Sequence, residues 1–541
     1  MERKKSNISF EGKGKVSIEY FKDCLVKKGE EFLASKIKRI VIEDGEDFID
    51  ESKIPVIGSI LQKGGVIDCK LKATKFFLFG GKNGGVEARN IYLSGEHDSV
   101  KIKGNLIARN ALIKGASEID GDATYHNSQL VDSQKILGNL TLNDSASIAQ
   151  NSIVHVLGDT TFNNTSFNSG TLNIDKNLIF NGNGRTFKKD SVTTVLGDAT
   201  GDSFASEGTV SINGNLQTSY FSSYPNGFIT VKGNLNTTDM GSSTINPNSR
   251  VEVKGIASFS NNLENSGSLI ADKLTVAGKS WTKFKLGSVT EVTKDLVLNG
   301  KMISESGAEL HAKTLDITSD SAELQYGSTT KIKGNITLAG KTRSNGYLGG
   351  TANLIMKDSA SLGAKSITII EGSATLYNQS KNYGNLTITK SLDLFGDGNS
   401  GIAPSLESGV TTVKFGNVSL NRHSKNKATL DVLKGNFSMT DFSSLEAGSK
   451  TNVNLGKGSL SSNSSNSGVL IIGSDLTLTE FAMLNPGSTT NVIGPTYFSA
   501  NVLITPGTLN TPQTIPIDKA RVVTTKPRKA INYNPKSGLK I

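Results

Sequence analysis

Residues 326–338, YGSTTKIKGNITL, contain the unit from which most of the chain is built. The stretch has a Gly-Ser turn and then an alternating run, which places Ile332 on one face and the lysines beside it on the other. Such alternation is typical of a strand with one buried face. Because glycine and asparagine adopt positive φ at low cost, the Gly334-Asn335 pair that follows predicts a bend before the next short strand.

The phrase recurs at a fixed spacing. The residue four positions after its serine, or after Gly409 in one copy, is a convenient landmark, and successive landmarks lie 39, 58, 39, 40, 81, 40 and 39 residues apart. These gaps are whole multiples of roughly 20 residues, and a fixed period in that range is typical of a solenoid. The landmarks are Val156, Val195, Val253, Val292, Ile332, Val413, Val453 and Val492.

A second phrase, with a glycine just before the strand, lies between copies of the first. NSGTLNIDKNLIF at 168–180 and NSGVLIIGSDLTL at 466–478 are examples. The unit is therefore roughly 20 residues long and has two forms that often alternate. Because its strands are short and no helical pattern accompanies them, we predict an all-β parallel β-helix over residues 67–505, in which each coil buries its apolar stripe against its neighbours.

The two ends of the chain differ from the repeat. Apolar side chains fall near helical spacing at 21–33 and again at 54–61, so residues 1–66 are predicted to form a small mixed α/β region that caps the open end of the β-helix. Residues 506–541 hold five of the eleven prolines, and proline donates no hydrogen bond to a ladder. We therefore predict that the coils stop at 505 and that a disordered, basic tail follows.

Charge and hydropathy exclude several classes of partner. The net charge is +10, but residues 505–541 contribute seven cationic side chains against one acidic one, so the repeat offers no basic groove for nucleic acid. No run approaches the ~18 apolar residues of a membrane-spanning helix, so no integral membrane segment is expected. The basic N-terminus MERKKSNISFEGKGK is not followed by an apolar core and does not match a signal peptide.

The sequence has none of the usual catalytic or metal-binding patterns. The five histidines are scattered, and the two cysteines, Cys24 and Cys69, match no metal or redox spacing. The regularly placed acids Asp122, Asp159 and Asp198 occupy the corner position where other coils have asparagine, which indicates a role in turns. We therefore expect no catalytic residue, no metal and no cofactor.

The repeat loosens at two places, residues 339–365 and 395–409, where the usual phrase is missing. Loops that leave the coil are expected there, and such loops commonly carry function in solenoids.

Aromatic side chains are rare in the repeat, so their clustering marks candidate binding positions. Two groups follow Gly-phrase strands about three coils apart and fall at a similar distance from their glycine, which predicts a shared edge. Exposed aromatic rings with lysines suit a glycan or an acidic ligand, whereas rings that fold over a corner would only cover it. The candidate ligand-binding residues are Tyr220, Tyr224, Trp281, Lys279, Lys283 and Lys285.

The phrase N-S-G-x-L-x-I-x-x-x-L-x-L resembles the repeats of filamentous haemagglutinin-type bacterial adhesins over roughly residues 85–505. The resemblance implies a right-handed parallel β-helix that is secreted or presented at a cell surface. It also implies a host-cell glycan or protein as the partner. The expected function is that of a non-enzymatic, elongated scaffold for adhesion.

The Val-x-Gly-Asn/Asp corners and the missing signal peptide also look like bactofilins, which are cytoplasmic cytoskeletal β-helices that form polymers in bacteria. On that alternative the chain would self-associate in the cytoplasm. A third alternative, a polysaccharide-acting enzyme on the same fold, would need carboxylates clustered on one exposed sheet.

Overall fold

In the computed structural model the chain is all-β and forms a parallel β-solenoid of about 22 turns, each of about 19 residues. This confirms the predicted fold class and repeat length. Side chains are described for residues 91–97, 100–182, 186–238, 241–277, 280–398, 402–499 and 501–517, and before residue 91 and at 98 only strand backbones are described. The chain divides into two compact units, residues 1–272 (unit 1) and 273–541 (unit 2).

Unit 1 begins with short strands and continues with stacked coils. Its strands are β1 Ile8–Gly12, β2 Val16–Tyr20, β3 Leu25–Lys28, β4 Glu31–Ala34, β5 Ile37–Ile42, β6 Glu46–Asp50, β7 Val56–Gln62, β8 Val66–Ile67, β9 Leu71–Leu78, β10 Gly81–Asn83, β11 Val86–Asp98, β12 Lys101–Lys114, β13 Ser117–Ile119, β14 Ala123–His126, β15 Gln129–Leu130, β16 Ser133–Ile136, β17 Leu140–Asn143, β18 Ser147–Ile148, β19 Ile153–Val156, β20 Thr160–Asn163, β21 Phe167–Asn168, β22 Thr171–Ile174, β23 Leu178–Asn181, β24 Val192–Val195, β25 Ala199–Ser206, β26 Thr209–Ile212, β27 Leu216–Ser223, β28 Phe228–Val231, β29 Leu235–Thr237, β30 Ser242–Ile245, β31 Arg250–Phe259 and β32 Asn262–Asn265. The boundary between the units falls within β33, Ser268–Val276.

Unit 2 consists of coils throughout its described part. Its strands are β34 Trp281–Phe284, β35 Val289–Leu298, β36 Lys301–Ser304, β37 Glu309–Leu324, β38 Thr329–Ile332, β39 Ile336–Ser344, β40 Tyr347–Gly350, β41 Leu354–Met356, β42 Ser361–Leu362, β43 Ile367–Ile370, β44 Ala374–Tyr377, β45 Lys381–Asn382, β46 Asn385–Ile388, β47 Leu392–Phe395, β48 Ser405–Leu406, β49 Val410–Val413, β50 Val418–Asn421, β51 Lys425–Asn426, β52 Thr429–Lys434, β53 Phe437–Met439, β54 Ser444–Leu445, β55 Lys450–Leu455, β56 Gly458–Leu460, β57 Ser465–Asn466, β58 Val469–Ile472, β59 Leu476–Leu478, β60 Met483–Leu484, β61 Thr489–Val492, β62 Thr496–Phe498, β63 Leu503–Ile504, β64 Leu509–Asn510 and β65 Thr514–Pro516.

A regular coil has three faces, here named A, B and C after the strands β49, β50 and β51 and their equivalents in other coils. Each strand pairs in parallel with the equivalent strand one coil on, so that Val413 lies opposite Val432 and Val432 opposite Val453. Alternate residues point inward. All eight landmark residues are buried, with at most 6% of their surface exposed, and the lysines beside Ile332 are exposed as predicted.

The Gly-Asn/Asp corner forms a ladder of hydrogen bonds along unit 1. Asp122 Oδ1 accepts from the Asn139 N–H at 2.8 Å, and Asn139 Oδ1 accepts from the Asp159 N–H at 2.8 Å. These acids therefore act in turns, as the sequence predicted. The glycine is needed for a different reason from the predicted positive φ: a Cβ on Gly138 would lie 2.6 Å from Asp122 Oδ1, so the neighbouring coil leaves no room for a side chain.

A buried amide explains why the two coil forms alternate. The asparagine of the NSG phrase points inward from face C, and Asn466 Nδ2 donates to Thr490 Oγ1 at 2.9 Å, on face A of the following Gly-Ser coil. Its Oδ1 accepts from the Gly468 N–H at 2.9 Å. The same amide-to-hydroxyl pair, with both residues fully buried, joins Asn382 to Thr411, Asn426 to Thr451 and, in unit 1, Asn168 to Thr193.

Leucine replaces both polar residues in the intervening coils of unit 2. Leu445 occupies the asparagine position between Asn426 and Asn466, for example. Polar and apolar coils therefore alternate, which accounts for the landmark spacing of 39–40 residues. Serine is too short to make the pair: where Ser344 replaces the asparagine, its hydroxyl and that of Thr368 have no partner among the described residues.

The glycine of the NSG phrase is required by the serine of the preceding Gly-Ser coil. Ser449 Oγ donates to the Glu446 carbonyl at 2.7 Å and closes a turn in which Gly448 has a φ of +85°. A Cβ on Gly468, one coil later, would lie 2.3 Å from that Oγ. The two phrases are thus complementary parts of one repeat that spans two coils.

We expect Asn466→Ala to lower the free energy of unfolding by about 2 kcal/mol or more, because it leaves the Thr490 hydroxyl and the Gly468 N–H buried without a partner. Asn454→Ala, at an exposed position near the end of β55, should change it by less than ~0.5 kcal/mol. Denaturant unfolding of both variants is the measurement. A similar loss in the two variants would contradict a structural role for the buried amide.

A column of phenylalanine rings lies inside the coils of unit 1 between residues 162 and 259. The ring centroids of Phe162 and Phe187 lie 5.8 Å apart, and those of Phe187 and Phe204 lie 5.4 Å apart. The column continues from Phe204 to Phe221 at 5.8 Å and from Phe221 to Phe259 at 6.4 Å. All five rings are buried, so one aromatic column supports several consecutive coils.

The N-terminal strands cover the edge of the first coil. β5 and β6 pair in parallel with β7 and β8, and on their other edge they pair antiparallel with β2 and β1. The predicted helices at 21–33 and 54–61 were wrong, since β3, β4 and β7 occupy the described parts of those segments. Adjacent apolar pairs in such short windows fit both a helical and a strand period.

The parallel ladder also continues past residue 505, where the sequence analysis placed its end. β64 and β65 pair with β61 and β62. Pro506 precedes Gly507, whose φ is +82°, so it lies in a turn where a fixed φ is favourable and does not end the coil. The remainder of the predicted tail, residues 518–541, lies outside the described residues.

The two places where loops were expected differ. Residues 339–365 carry the regular strands β39 to β42, so the loop expected there was wrong. A longer connection does separate β47 from β48, between Phe395 and Ser405, and residues 399–401 of it lie outside the described residues.

Candidate functional site

Trp281 and Lys283 point outward from face C of unit 2. They alternate along β34 with the buried Thr282 and Phe284, and the Trp281 side chain is half-buried. Lys283 Nζ lies 5.0 Å from the centroid of the Trp281 ring, within the range of a cation–π interaction. In the next coil Lys301 lies opposite Trp281. A ring and two lysines therefore share one outward surface.

The remaining members of the predicted Trp281 group contribute less to this surface. Lys285 is half-buried in the turn that follows β34, and Lys279 lies outside the described residues.

Tyr220 and Tyr224 belong to unit 1. Tyr220 is exposed on β27, and a Cβ on Gly241 would lie 2.5 Å from its Cε1, so the ring covers the backbone of that glycine. Tyr224 is half-buried in the turn after β27. The edge that the sequence analysis assigned jointly to these tyrosines and Trp281 stays a prediction.

A cleft that was not expected from the sequence lies on unit 2, where face C meets face A. It is open to solvent and has a volume of about 460 Å³. Its lining includes the aromatic side chain of Tyr326, with 65% of its surface accessible, and Lys365 Nζ lies 5.3 Å from the centroid of that ring. The polar and charged side chains that line it are Glu323, Gln325, Tyr326, Arg343, Asn345 and Lys365.

The cleft arises from a difference in turn length between adjacent coils. In each of the two flanking coils, a turn of four residues connects face C to face A, 325–328 in one coil and 363–366 in the other. The N–H groups of Ser328 and Ser366 close these turns with hydrogen bonds of 3.0 and 2.9 Å. Only Asn345 and Gly346 make the same connection in the coil between them. The short turn recedes between two longer ones, which leaves the depression.

Exposed aromatic rings also occupy unusual backbone positions between faces B and C of unit 2. Phe442 and Phe481 have φ of +62° and +63°, which bulky residues rarely adopt, and more than half of each side chain is exposed. In the coil between them the equivalent residue is Asn463, which tolerates such a φ. Phe442 stacks on His423 at 5.1 Å. These rings could not be identified from the sequence, because no sequence pattern marks the position of the coil at which φ is positive.

The titratable groups with resolved partners in the described region form small, separate sets of two or three side chains, such as Glu252 with Arg250 and Lys254. His155 points outward, as predicted, and its Nε2 lies 2.9 Å from Asp175 Oδ1. His97 is buried, which lowers its pKa, and its Nε2–H donates to the Ser94 carbonyl at 2.9 Å. Burial would raise the pKa of Glu407, but hydrogen bonds from Ser405 and Lys427 outweigh it and hold that pKa below its usual value.

Within the described part of the chain, no group of three or more histidine, cysteine, aspartate or glutamate side chains is placed to hold a metal ion. None of the described segments forms a helix that could span a bilayer. Comparisons of this chain with protein families, with curated proteins and with solved structures found no match.

Proposed function

We propose that the chain is a non-enzymatic binding scaffold of the adhesin type, which recognises a carbohydrate through outward side chains of its coils. The observation that carries the proposal is the Trp281 surface on face C, where a half-buried, outward-pointing indole has Lys283 over its ring and Lys301 opposite it in the next coil. All three side chains point outward from their strands, whereas the repeating asparagine–threonine pairs lie inside the coil.

The chemistry of this surface fits a sugar with an acidic group. An aromatic face packs against the C–H groups of a sugar ring, and ammonium groups attract a uronic or sialic carboxylate. The recurring polar residues are different, because the corner amides and carboxylates accept backbone N–H groups and the inward asparagines pair with threonines. Recognition is therefore assigned to the residues that depart from the repeat.

Trp281→Ala is expected to weaken binding about tenfold or more, which corresponds to ~1.4 kcal/mol, and to leave the melting temperature nearly unchanged. Glycan arrays and intact cells identify the ligand, and calorimetry then compares the wild type with the variant. Binding should also fall as salt rises through the physiological range, because the lysines are near the surface. Lys331→Ala, an outward lysine on face A, is the control and should keep full affinity.

Two outcomes would contradict the proposal. One is a Trp281→Ala variant that melts at a lower temperature but binds normally, which would make the indole a cover for the coil. The other is the absence of binding to any glycan or cell by the wild type. Fractionation of the native protein between cell surface and cytoplasm tests the adhesin proposal against a cytoskeletal polymer.

A further inference from the structure

The Trp281 surface and the Tyr326 cleft lie on the same sheet of unit 2. Lys283 is opposite Ile303, the register continues from Ile303 to Glu323, and Glu323 is opposite Arg343. All four side chains point outward from face C. Three steps of the ladder, each ~4.8 Å, therefore separate the row of Trp281 from the row of Arg343, a distance of roughly 14 Å.

The surface between the two places is basic. The outward positions of face C from β34 to β39 carry four cationic side chains and one acidic one. The single acid, Glu323, accepts a hydrogen bond from Asn345 Nδ2 at 3.0 Å. The outward residues of this stretch, in chain order, are Trp281, Lys283, Lys301, Ile303, Ser321, Glu323, Lys341 and Arg343.

The cleft repeats the chemistry of the Trp281 surface at the other end of this stretch. Tyr326 presents an accessible ring, Lys365 lies over that ring, and Arg343 supplies a guanidinium that can bind a carboxylate with two hydrogen bonds. Asn345 forms part of the lining, and Gly363 leaves room for its side chain, since a Cβ there would lie 1.8 Å from Asn345 Oδ1. Each end thus combines one aromatic ring with cations.

We infer that the Tyr326 cleft is a second subsite for the ligand of the Trp281 surface, and that this ligand is an extended, carboxylate-bearing oligosaccharide lying along face C. The inference rests on the proposed function and adds the chemical class and the minimum length of the ligand. A chain that spans both subsites gains affinity from each, since the second contact is made within one complex. A shorter chain occupies only one subsite.

The experiment titrates the full-length protein with short and long galacturonate oligomers and with their methyl-esterified, neutral counterparts. Trp281 is the only tryptophan, so its fluorescence reports on the first subsite alone. We expect the long acidic oligomers to bind about tenfold or more tightly than the short ones and than the neutral ones. Arg343→Ala and Lys365→Ala should remove most of that gain and leave the affinity for short oligomers unchanged. Lys331→Ala is the matched control.

Several results would overturn the inference. The affinity could be independent of oligomer length, or the neutral oligomers could bind as tightly as the acidic ones. The Arg343→Ala variant could lose affinity for short and long oligomers alike. Single-stranded DNA, an anionic polymer of another class, could bind more tightly than the acidic oligomers. Failure of the proposed function looks different, because then no oligomer of any length would change the fluorescence of Trp281 or bind in calorimetry. Melting temperatures of both cleft variants should equal that of the wild type, since both side chains are exposed.

Discussion

Ile332→Asp is expected to lower the free energy of unfolding by several kcal/mol, because it places an unpaired carboxylate in the interior of the coil. The side chain of Ile332 is buried, and the residues opposite it in the two neighbouring coils are Ala312 and Gly350. Neither neighbour can donate a side-chain hydrogen bond to a carboxylate. These two neighbours therefore offer the charge no partner that could offset its loss of hydration.

The adjacent residue provides the control. Lys331 is exposed on the outer surface of the same strand, so Lys331→Asp should change the free energy of unfolding by less than ~0.5 kcal/mol. The two variants differ by one position in the strand and introduce the same side chain. Denaturant unfolding distinguishes them, and equal losses would mean that the assigned register is wrong.

Phe204→Ala should be the most damaging truncation in unit 1, with an expected loss of about 3–5 kcal/mol. The Phe204 ring contacts three others, with centroid distances of 5.5 Å to Phe180, 5.4 Å to Phe187 and 5.8 Å to Phe221. Removal of the ring leaves a cavity bounded by rigid side chains on several coils, which limits collapse around it.

Phe228→Ala is the matched control for the Phe204 variant. Phe228 is an exposed residue on face A of the same unit, where the Arg250 guanidinium lies 5.9 Å from its ring. Its truncation should cost no more than ~1 kcal/mol. If the two truncations shift the unfolding midpoint equally, the aromatic column is not a main support of unit 1.

The sequence predicted the inward residues well because a strand's period of two leaves only one choice of face. Once Ile332 and its equivalents were aligned at multiples of 20 residues, their burial followed, and each of the eight is buried. The role of the corner glycine was misjudged. A Cβ on Gly334 would lie 2.6 Å from the Lys313 carbonyl, and this contact involves a residue from the preceding coil. Such constraints depend on how coils stack.

The alternation of coil forms was visible in the sequence, but its cause was not. Asn466 and Thr490 are 24 residues apart, and only the stacking of face C against face A brings the amide to the hydroxyl. The helices predicted near the N-terminus failed for a related reason, since short apolar pairs fit two periods and the pairing of β3 with β4 and of β7 with β5 decides between them.

The candidate site was only partly accessible to sequence reasoning. Trp281 and Lys283 were found because a rare aromatic residue stood among lysines, and the structure places both on the outer surface. The cleft was missed although Tyr326 opens the very stretch that determines the fold. Its existence depends on the relative lengths of three successive turns, and no single turn reveals a depression between its neighbours.

We assign recognition to face C of unit 2, in outward residues that depart from the repeat. Hydroxyl-radical footprinting of the full-length protein, with and without a saturating long galacturonate oligomer, tests it directly, because indole and phenol rings are readily oxidised. We predict that Trp281 and Tyr326 become protected together, while the exposed Tyr220 and Phe415 keep their reactivity. Protection of other residues, with Trp281 and Tyr326 unchanged in the bound state, would contradict the account.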